Sequence, residues 1–199
     1  MTIETQIIAG LDEVGRGCLA GPVFAAAVVL PEHFAIPDLR DSKKLSAKRR
    51  VQVDREVKAQ ALAWSIGKAD PGEIDEINIL QATFLAMRRA LSGLGMAVDI
   101  CRVDGNQDPG LSMPTQLIIG GDNLEPSIMA ASVIAKVARD QEMESLDVQH
   151  PGYAFAKNKG YGTPAHLAGL KQFGPSSIHR MSFSPCLAAR EQWLASEVR

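Results

Sequence analysis

The sequence predicts an α/β layer fold, with a five-stranded mixed sheet flanked by helices and a small helical C-terminal subdomain. Three observations predict it. Short apolar runs recur at residues 7–11, 22–30, 63–68, 98–103 and 116–119. Longer segments with helical spacing and helix-start signals lie between them. From His150 onward the composition turns to Gly, Pro, Lys and His, which predicts short helices and loops. With no repeat, low-complexity tract or Pro/Ser linker to divide the chain, residues 1–149 read as the core and 150–199 as a subdomain packed on it.

Each element has its own signal. Ile7 to Leu11 is an apolar strand running into Asp12-Glu13, and Pro22 to Leu30 is a β-branched and alanine-rich strand closed by Pro31. A glycine-bearing loop joins them. Ser46 caps a helix whose inward residues are Val53, Val57 and Leu62, and Ala63 to Lys68 follows as a third strand. Asp70-Pro71-Gly72-Glu73 supplies an N-cap, a first-turn proline and a glutamate three residues after the cap. The apolar stripe behind it, Ile77, Leu80, Phe84, Met87, Leu91 and Leu94, reads as core. Val98 to Val103 is a fourth strand ending on Asp104, and Gln116 to Ile119 a fifth ending on Gly120-Gly121-Asp122. Pro126 to about Leu146 is a helix whose small residues, Ala130, Ala131, Ser132 and Ala135, allow it to lie close to a sheet. A last helix runs from about Leu187 to Val198.

Composition excludes several classes. With 46% hydrophobic and 22% charged residues, the 199-residue chain is neither disordered nor fibrous and is long enough to bury a core of its own. The longest apolar run, Val23 to Leu30, falls far short of a membrane span, and MTIETQIIAG has no basic segment leading into an apolar one, so a cytoplasmic protein is expected. Cys18, Cys101 and Cys186 are odd in number and lack CxxC spacing, which argues against a disulfide framework or a zinc site and for buried thiols. The net charge of −2 is low for a protein that binds phosphates, but between Arg40 and Arg50 six basic residues face one acid. That run reads equally as a solvated helix start. A monomer is expected, since no apolar stripe is left over for self-association.

Asp12-Glu13, Asp104 and Asp122 all fall at or just beyond predicted strand ends, where α/β sheets gather their ligands. If these acids converge they repel one another unless a divalent cation neutralises them. Oxygen-only ligation, without clustered His or Cys, favours Mg²⁺ or Mn²⁺ over Zn²⁺. Such ions most often serve phosphoryl transfer, with two metals roughly 3.5–4 Å apart. Taken singly, Asp104 and Asp122 read as turn residues beside glycine. Asp12-Glu13 is less easily read so, because Gly15-Arg16-Gly17 follows, a loop that lets backbone approach a ligand and carries an arginine suited to phosphate. His150, His166 and His179 read as too scattered for a metal cluster.

The string AGLDEVGRGCLAGPV at 9–23 resembles the signature of the ribonuclease HII family, and DSKKLS at 41–46 is similar to that family's second block. EIDEINIL at 73–80, VDGN at 103–106, AASVIAKVARD at 130–140, HPGYAFAKNKGYGT at 150–163 and HRMSFSP at 179–185 follow in the family's order. The resemblance implies a ribonuclease H-like fold and a metal-dependent endoribonuclease. It implies that Asp12, Glu13, Asp104 and Asp122 are catalytic carboxylates holding two Mn²⁺ or Mg²⁺ ions. It implies that Gly15, Arg16 and Gly17 read the ribonucleotide's 2′-hydroxyl, that Tyr161 stacks on the next sugar, and that Lys43 holds a phosphate. Asn78 and Ser132 are weaker candidates for contacts to the substrate backbone. The implied partners are RNA–DNA hybrids and DNA containing ribonucleotides, with primer removal and ribonucleotide repair as the setting. Cys18 and Gly162 stand where the family usually has proline, and the extra freedom at Gly162 is expected to loosen Tyr161. A junction resolvase or type 1 ribonuclease H would share the acids without needing the GRG loop, and a non-catalytic hybrid binder would gain nothing from four acids that repel phosphate.

Overall fold

The structure is a computed structural model and describes residues 6–40 and 44–197. The chain divides into two compact units, one formed by Met1–Val14, Phe24–Lys68 and Thr83–Val137, the other by Gly15–Val23, Ala69–Ala82 and Ala138–Arg199.

The first unit is built on the sheet. Its strands are β1 (Ile8–Val14), β2 (Val23–Val29), β3 (Ala63–Ala69), β4 (Ile100–Asp104) and β5 (Thr115–Ile118), in the order β3-β2-β1-β4-β5. β1 pairs antiparallel with β2 and parallel with β4, and β4 pairs parallel with β5, so the sheet is mixed as the sequence predicts. All seven residues of β2 are buried, as expected of a strand covered on both faces. Helix α1 (Ala47–Gln60) starts at Ser46, whose hydroxyl accepts the Arg49 N–H at 3.3 Å. Val53 and Val57 are fully buried with Ala26, Val28, Met129 and Ile134. Leu62, expected inside, is 61% exposed. It lies past the helix end, and its N–H bonds the Val29 carbonyl in an extended segment, so helical spacing no longer places it.

Helix α2 (Pro71–Ser92) begins where the capping residues predict, with the Glu73 carboxylate accepting the Asp70 N–H at 3.0 Å. At Asn78 the backbone leaves the helix (φ 66°, ψ 164°), and the Asn78 side-chain oxygen accepts the N–H groups of Leu80 and Gln81, restarting it. The sequence gives no sign of this kink. Part of the predicted core stripe is displaced with it: Met87 and Leu94 are buried, but Ile77, Leu80, Phe84 and Leu91 are only half-buried. The buried face is instead completed by Ala82, Ala86 and Ala90, and a side chain at Gly67 of β3 would strike the backbone of Ala86 and Ala90. After the short α3 (Gly121–Leu124) comes α4 (Pro126–Gln149), whose small residues also permit a close approach. A side chain at Gly10 would run into the backbone of Ser127 and Ile128.

The second unit contains α5 (Phe155–Asn158), α6 (Pro164–Phe173) and α7 (Ser184–Glu197). Its core joins Leu19, Ala20, Met143, Tyr153, Phe155, Leu170 and Cys186. Residues 15–23 run through it by way of a turn at Arg16-Gly17 and positive φ at Gly15 and Gly21: Leu19 N–H bonds the Gly160 carbonyl, Gly21 N–H that of Ile178, and Arg180 N–H that of Leu19. All three cysteines are free and buried, and burial alone pushes the Cys101 thiol up to about 11. No helix among the described residues is long and apolar enough to cross a membrane.

Candidate active site

The parallel ladder of β1 and β4 ends with Leu11 opposite Val103, so the next residues, Asp12 and Asp104, are neighbours at its carboxyl end. Both Asp12 and Glu13 lie inside β1, which the sequence had ended at Leu11; they still pair with Ala26 and Ala25 of antiparallel β2. Asp12 is only 5% exposed. Burial raises its pKa well above the usual carboxylate range, and the negative charges of Glu13 and Asp104 push the same way. The Ser132 hydroxyl and the Glu13 N–H oppose this by hydrogen bonding to the carboxylate, the latter at 2.7 Å. Ser132 thus sits on α4 as a partner of Asp12.

Asp122 follows β5 in the first turn of α3, after a left-handed Gly120 (φ 69°). Its backbone N–H points at the Asp104 carboxylate, 3.4 Å away, and its own carboxylate accepts from the Asn123 side chain at 2.8 Å. Among the described residues, no group of three or more His, Cys, Asp or Glu side chains is arranged to hold a metal ion by itself. That excludes a closed cage of the structural-zinc kind among these residues. Hard ions such as Mg²⁺ bind through one or two carboxylates, waters and substrate phosphate. The oxygen-only set of buried Asp12 with half-buried Glu13 and Asp104 is chemically suited to such an ion.

In the second unit, the two glycines of Gly15-Arg16-Gly17 differ. Gly15 has φ 95°, and a side chain there would collide with the Arg139 guanidinium. At Gly17 an added Cβ meets nothing within 4 Å and φ is not positive, so neither packing nor backbone geometry requires glycine. Arg16 is exposed. Two fully buried arginines brace this segment. Arg180 donates to the carbonyls of Gly15 (2.7 Å), Arg16 (2.8 Å) and Gly21 (2.9 and 3.0 Å). Arg139 donates to those of Pro22 (3.0 Å), Lys159 (2.8 Å) and Ala20 (3.2 Å). Burial lowers the Arg180 pKa to about 10. The family block containing Arg180 is legible in the sequence, but its bracing role is not.

Tyr161 is 42% exposed while its backbone is tied down. Its N–H bonds the Asn158 carbonyl at 3.0 Å, and its carbonyl receives the Thr163 N–H at 2.8 Å and His166 Nδ1 at 2.9 Å. These bonds oppose the looseness expected from Gly162. The Cys18 thiol, at the other departure from the family pattern, hydrogen-bonds the Tyr161 hydroxyl and lies 3.5 Å from the Lys159 carbonyl. His166 and His179, thirteen residues apart in sequence, meet through their Nε2 atoms at 2.9 Å. The sequence gives no sign of this contact, which α6 and the loop before α7 make by folding the two rings together. Asn78 is exposed at the α2 kink, and Lys43 lies outside the described residues.

Comparison with known proteins gives the family and the fold. The chain resembles the ribonuclease H2 of Pyrococcus horikoshii OT3 at 26% identity and TM-score 0.77, over 94% of this chain and 98% of that one. It resembles the ribonuclease HII in a PCNA complex from Archaeoglobus fulgidus at 26% identity and TM-score 0.71, over 92% and 97%. Bst-RNase HIII, solved with Mn²⁺, shares the fold at 16% identity and TM-score 0.71, over 100% and 72%. The Ribonuclease HII family model matches residues 9–186, from the acids of β1 to the start of α7. With that match spanning both the carboxylates of the sheet and the braced GRG segment, the chain belongs to the ribonuclease HII family and is a ribonuclease H.

Proposed function

We propose that this ribonuclease H, besides acting on RNA–DNA hybrids as its family does, nicks duplex DNA on the 5′ side of an embedded ribonucleotide, leaving a 3′-hydroxyl and a 5′-phosphate. In the cell it would remove RNA primers and misincorporated ribonucleotides. The observation that carries this reading is the buried Asp12, coupled to Glu13 and Asp104 at the end of the parallel ladder. An acid so placed is costly to the fold, and a phosphodiesterase site gives a reason for keeping it.

Asp12 and Asp104 would be the central ligands of two divalent ions, with Glu13 and Asp122 completing the set. When bound, the ions supply activation of the attacking water and stabilisation of the departing 3′-oxygen. The chain's own residues do the rest. Ser132 orients the Asp12 carboxylate. The Arg180 bonds hold the carbonyls of Gly15 and Arg16 and so fix the peptide planes that carry the N–H groups of Arg16 and Gly17, which would keep set directions toward a 2′-hydroxyl, the group that distinguishes RNA from DNA. Gly17 leaves open space for a ligand's approach. The exposed Tyr161 ring would stack on the following deoxynucleotide's sugar. Lys43, assigned by resemblance alone, would hold a phosphate.

The test is incubation with a labelled duplex carrying one ribonucleotide, beside an all-DNA control, in Mg²⁺, Mn²⁺ or EDTA. A single metal-dependent nick 5′ of the ribonucleotide is expected. Equal cutting of the all-DNA duplex would refute the 2′-hydroxyl reading, and binding without cleavage in either metal would refute catalysis.

A further inference from the structure

His166 and His179 are fully enclosed, at 0% and 2% exposure, in a box whose walls include Tyr153 and Phe155. The Phe155 ring meets His166 edge-on at 5.1 Å, and the Tyr153 ring lies 4.8 Å from that of His179. Every ring nitrogen has a partner, and the partners fix which nitrogen carries the proton. The Ser176 N–H donates to His179 Nδ1 at 2.9 Å, so that nitrogen accepts. His179 therefore carries its proton on Nε2 and donates it to His166 Nε2 at 2.9 Å. His166 accepts there and donates from Nδ1 to the Tyr161 carbonyl at 2.9 Å. The chain Ser176 N–H to His179 to His166 to Tyr161 is consistent in one direction only.

We infer that the neutral, directionally ordered His179–His166 pair is a positioning relay that holds the Tyr161 main chain so that its exposed ring is presented to the substrate. This rests on the reading of Tyr161 as the residue that stacks beside the ribonucleotide. The two imidazoles act through Tyr161 and touch no reacting atom. A second proton on either ring breaks the order. On His166 it would set two N–H groups face to face at the Nε2 contact; on His179 it would oppose the Ser176 N–H. The titratable groups facing the pair are Tyr153, whose hydroxyl donates to the Gly174 carbonyl at 2.7 Å, and His150, whose charge acts on His179. The other hydrogen-bonding groups are Ser176 Oγ, 2.9 Å from His179 Nδ1, and the main chain of Gly160 and Tyr161. The enclosure favours uncharged rings: burial lowers both histidine pKa values.

A double-mutant cycle tests the relay, using the one-ribonucleotide duplex and four chains: native, His166→Phe, Tyr161→Ala and both together. His166→Phe keeps a ring in the box and removes both nitrogens; it is expected to raise KM about tenfold with kcat nearly unchanged, the size of one lost buried hydrogen bond. His166→Asn, which retains a donor near Nδ1, should recover most of that loss. In the Tyr161→Ala background His166→Phe should add nothing. Additive losses there would overturn the relay alone, whereas a native KM for Tyr161→Ala would refute the stacking role and the inference with it. Ring ¹⁵N spectra of the native chain provide a test that needs no variant to fold. They should show His166 protonated at Nδ1 and His179 at Nε2 near pH 7, and the opposite tautomers or an imidazolium would overturn the proposal.

Discussion

Replacing Arg180 with methionine removes a fully buried guanidinium and keeps an apolar stem of similar length. Four hydrogen bonds disappear, to the carbonyls of Gly15, Arg16 and Gly21. Gly15 and Gly21 are buried, so their carbonyls lose a charged donor that water does not replace, although that of Gly15 keeps the Cys18 N–H at 3.4 Å, whereas exposed Arg16 is resolvated at little cost. Each buried carbonyl that loses its charged donor costs about 1–3 kcal/mol, or about 2–6 for the pair. Removing a charge that burial disfavours, as its lowered pKa shows, offsets part of this and brings the net to about 2–4 kcal/mol. A native stability of about 5–15 kcal/mol leaves the variant folded. Its melting temperature should fall by about 4–16 °C, taking about 2–4 °C per kcal/mol for a chain of this size. Arg180→Lys, with a compact ammonium in place of the fork, should lie between. Thermal unfolding followed by circular dichroism gives the first number, and cleavage of the one-ribonucleotide duplex gives KM. A methionine variant that melts within 1–2 °C of the native chain (roughly the effect of a surface substitution) and cuts with native KM would refute the claim that these bonds brace the loop.

Asp12→Asn should abolish turnover in Mg²⁺ or Mn²⁺, yet in EDTA at pH 8 it should melt above the native chain, because it removes a buried charge beside Glu13 and Asp104; a lower melting temperature would show that the acid is not strained. Gly17→Ala should leave stability unchanged, since its Cβ meets open space, and weaken cleavage. Gly15→Ala should destabilise the chain through its positive φ and the collision with Arg139, so equal melting temperatures for the two variants would contradict this contrast. The buried histidines make stability depend on pH. Because the folded His179 pKa lies at about 4 against an ordinary 6.5, the unfolded chain binds more protons between those values. Stability is then complete above about pH 6.5 and declines as pH falls toward 4, by about 3 kcal/mol for His179 at 1.36 kcal/mol per unit. The native chain should therefore lose more melting temperature between pH 7 and 4.5 than His179→Phe does, and parallel curves would refute the assignment.

The strands, their rough limits and the start of each long helix were legible in the sequence because they depend on near neighbours: alternation, capping residues and breakers act within a few positions. Asp70 and Glu73 made the predicted cap, and Asp104 ends β4 as read. The candidate acids stood out through their order along the chain and the family strings around them. Three features were decided only by tertiary structure. The kink at Asn78 moved the buried face of α2 onto alanines that approach Gly67, a matter of helix–sheet distance. Arg139 and Arg180, which composition would leave on the surface, are buried where the loop after β1 turns main-chain carbonyls toward them. His166 and His179 looked unrelated because linear separation carries no information about contact, and only the closing of α6 against the loop before α7 sets their rings in hydrogen-bond range. Near-neighbour chemistry thus sets the local elements and the residue types of the site. What the fold decided is which distant polar groups become partners once water is excluded, because an unpaired buried donor or acceptor is too costly to leave.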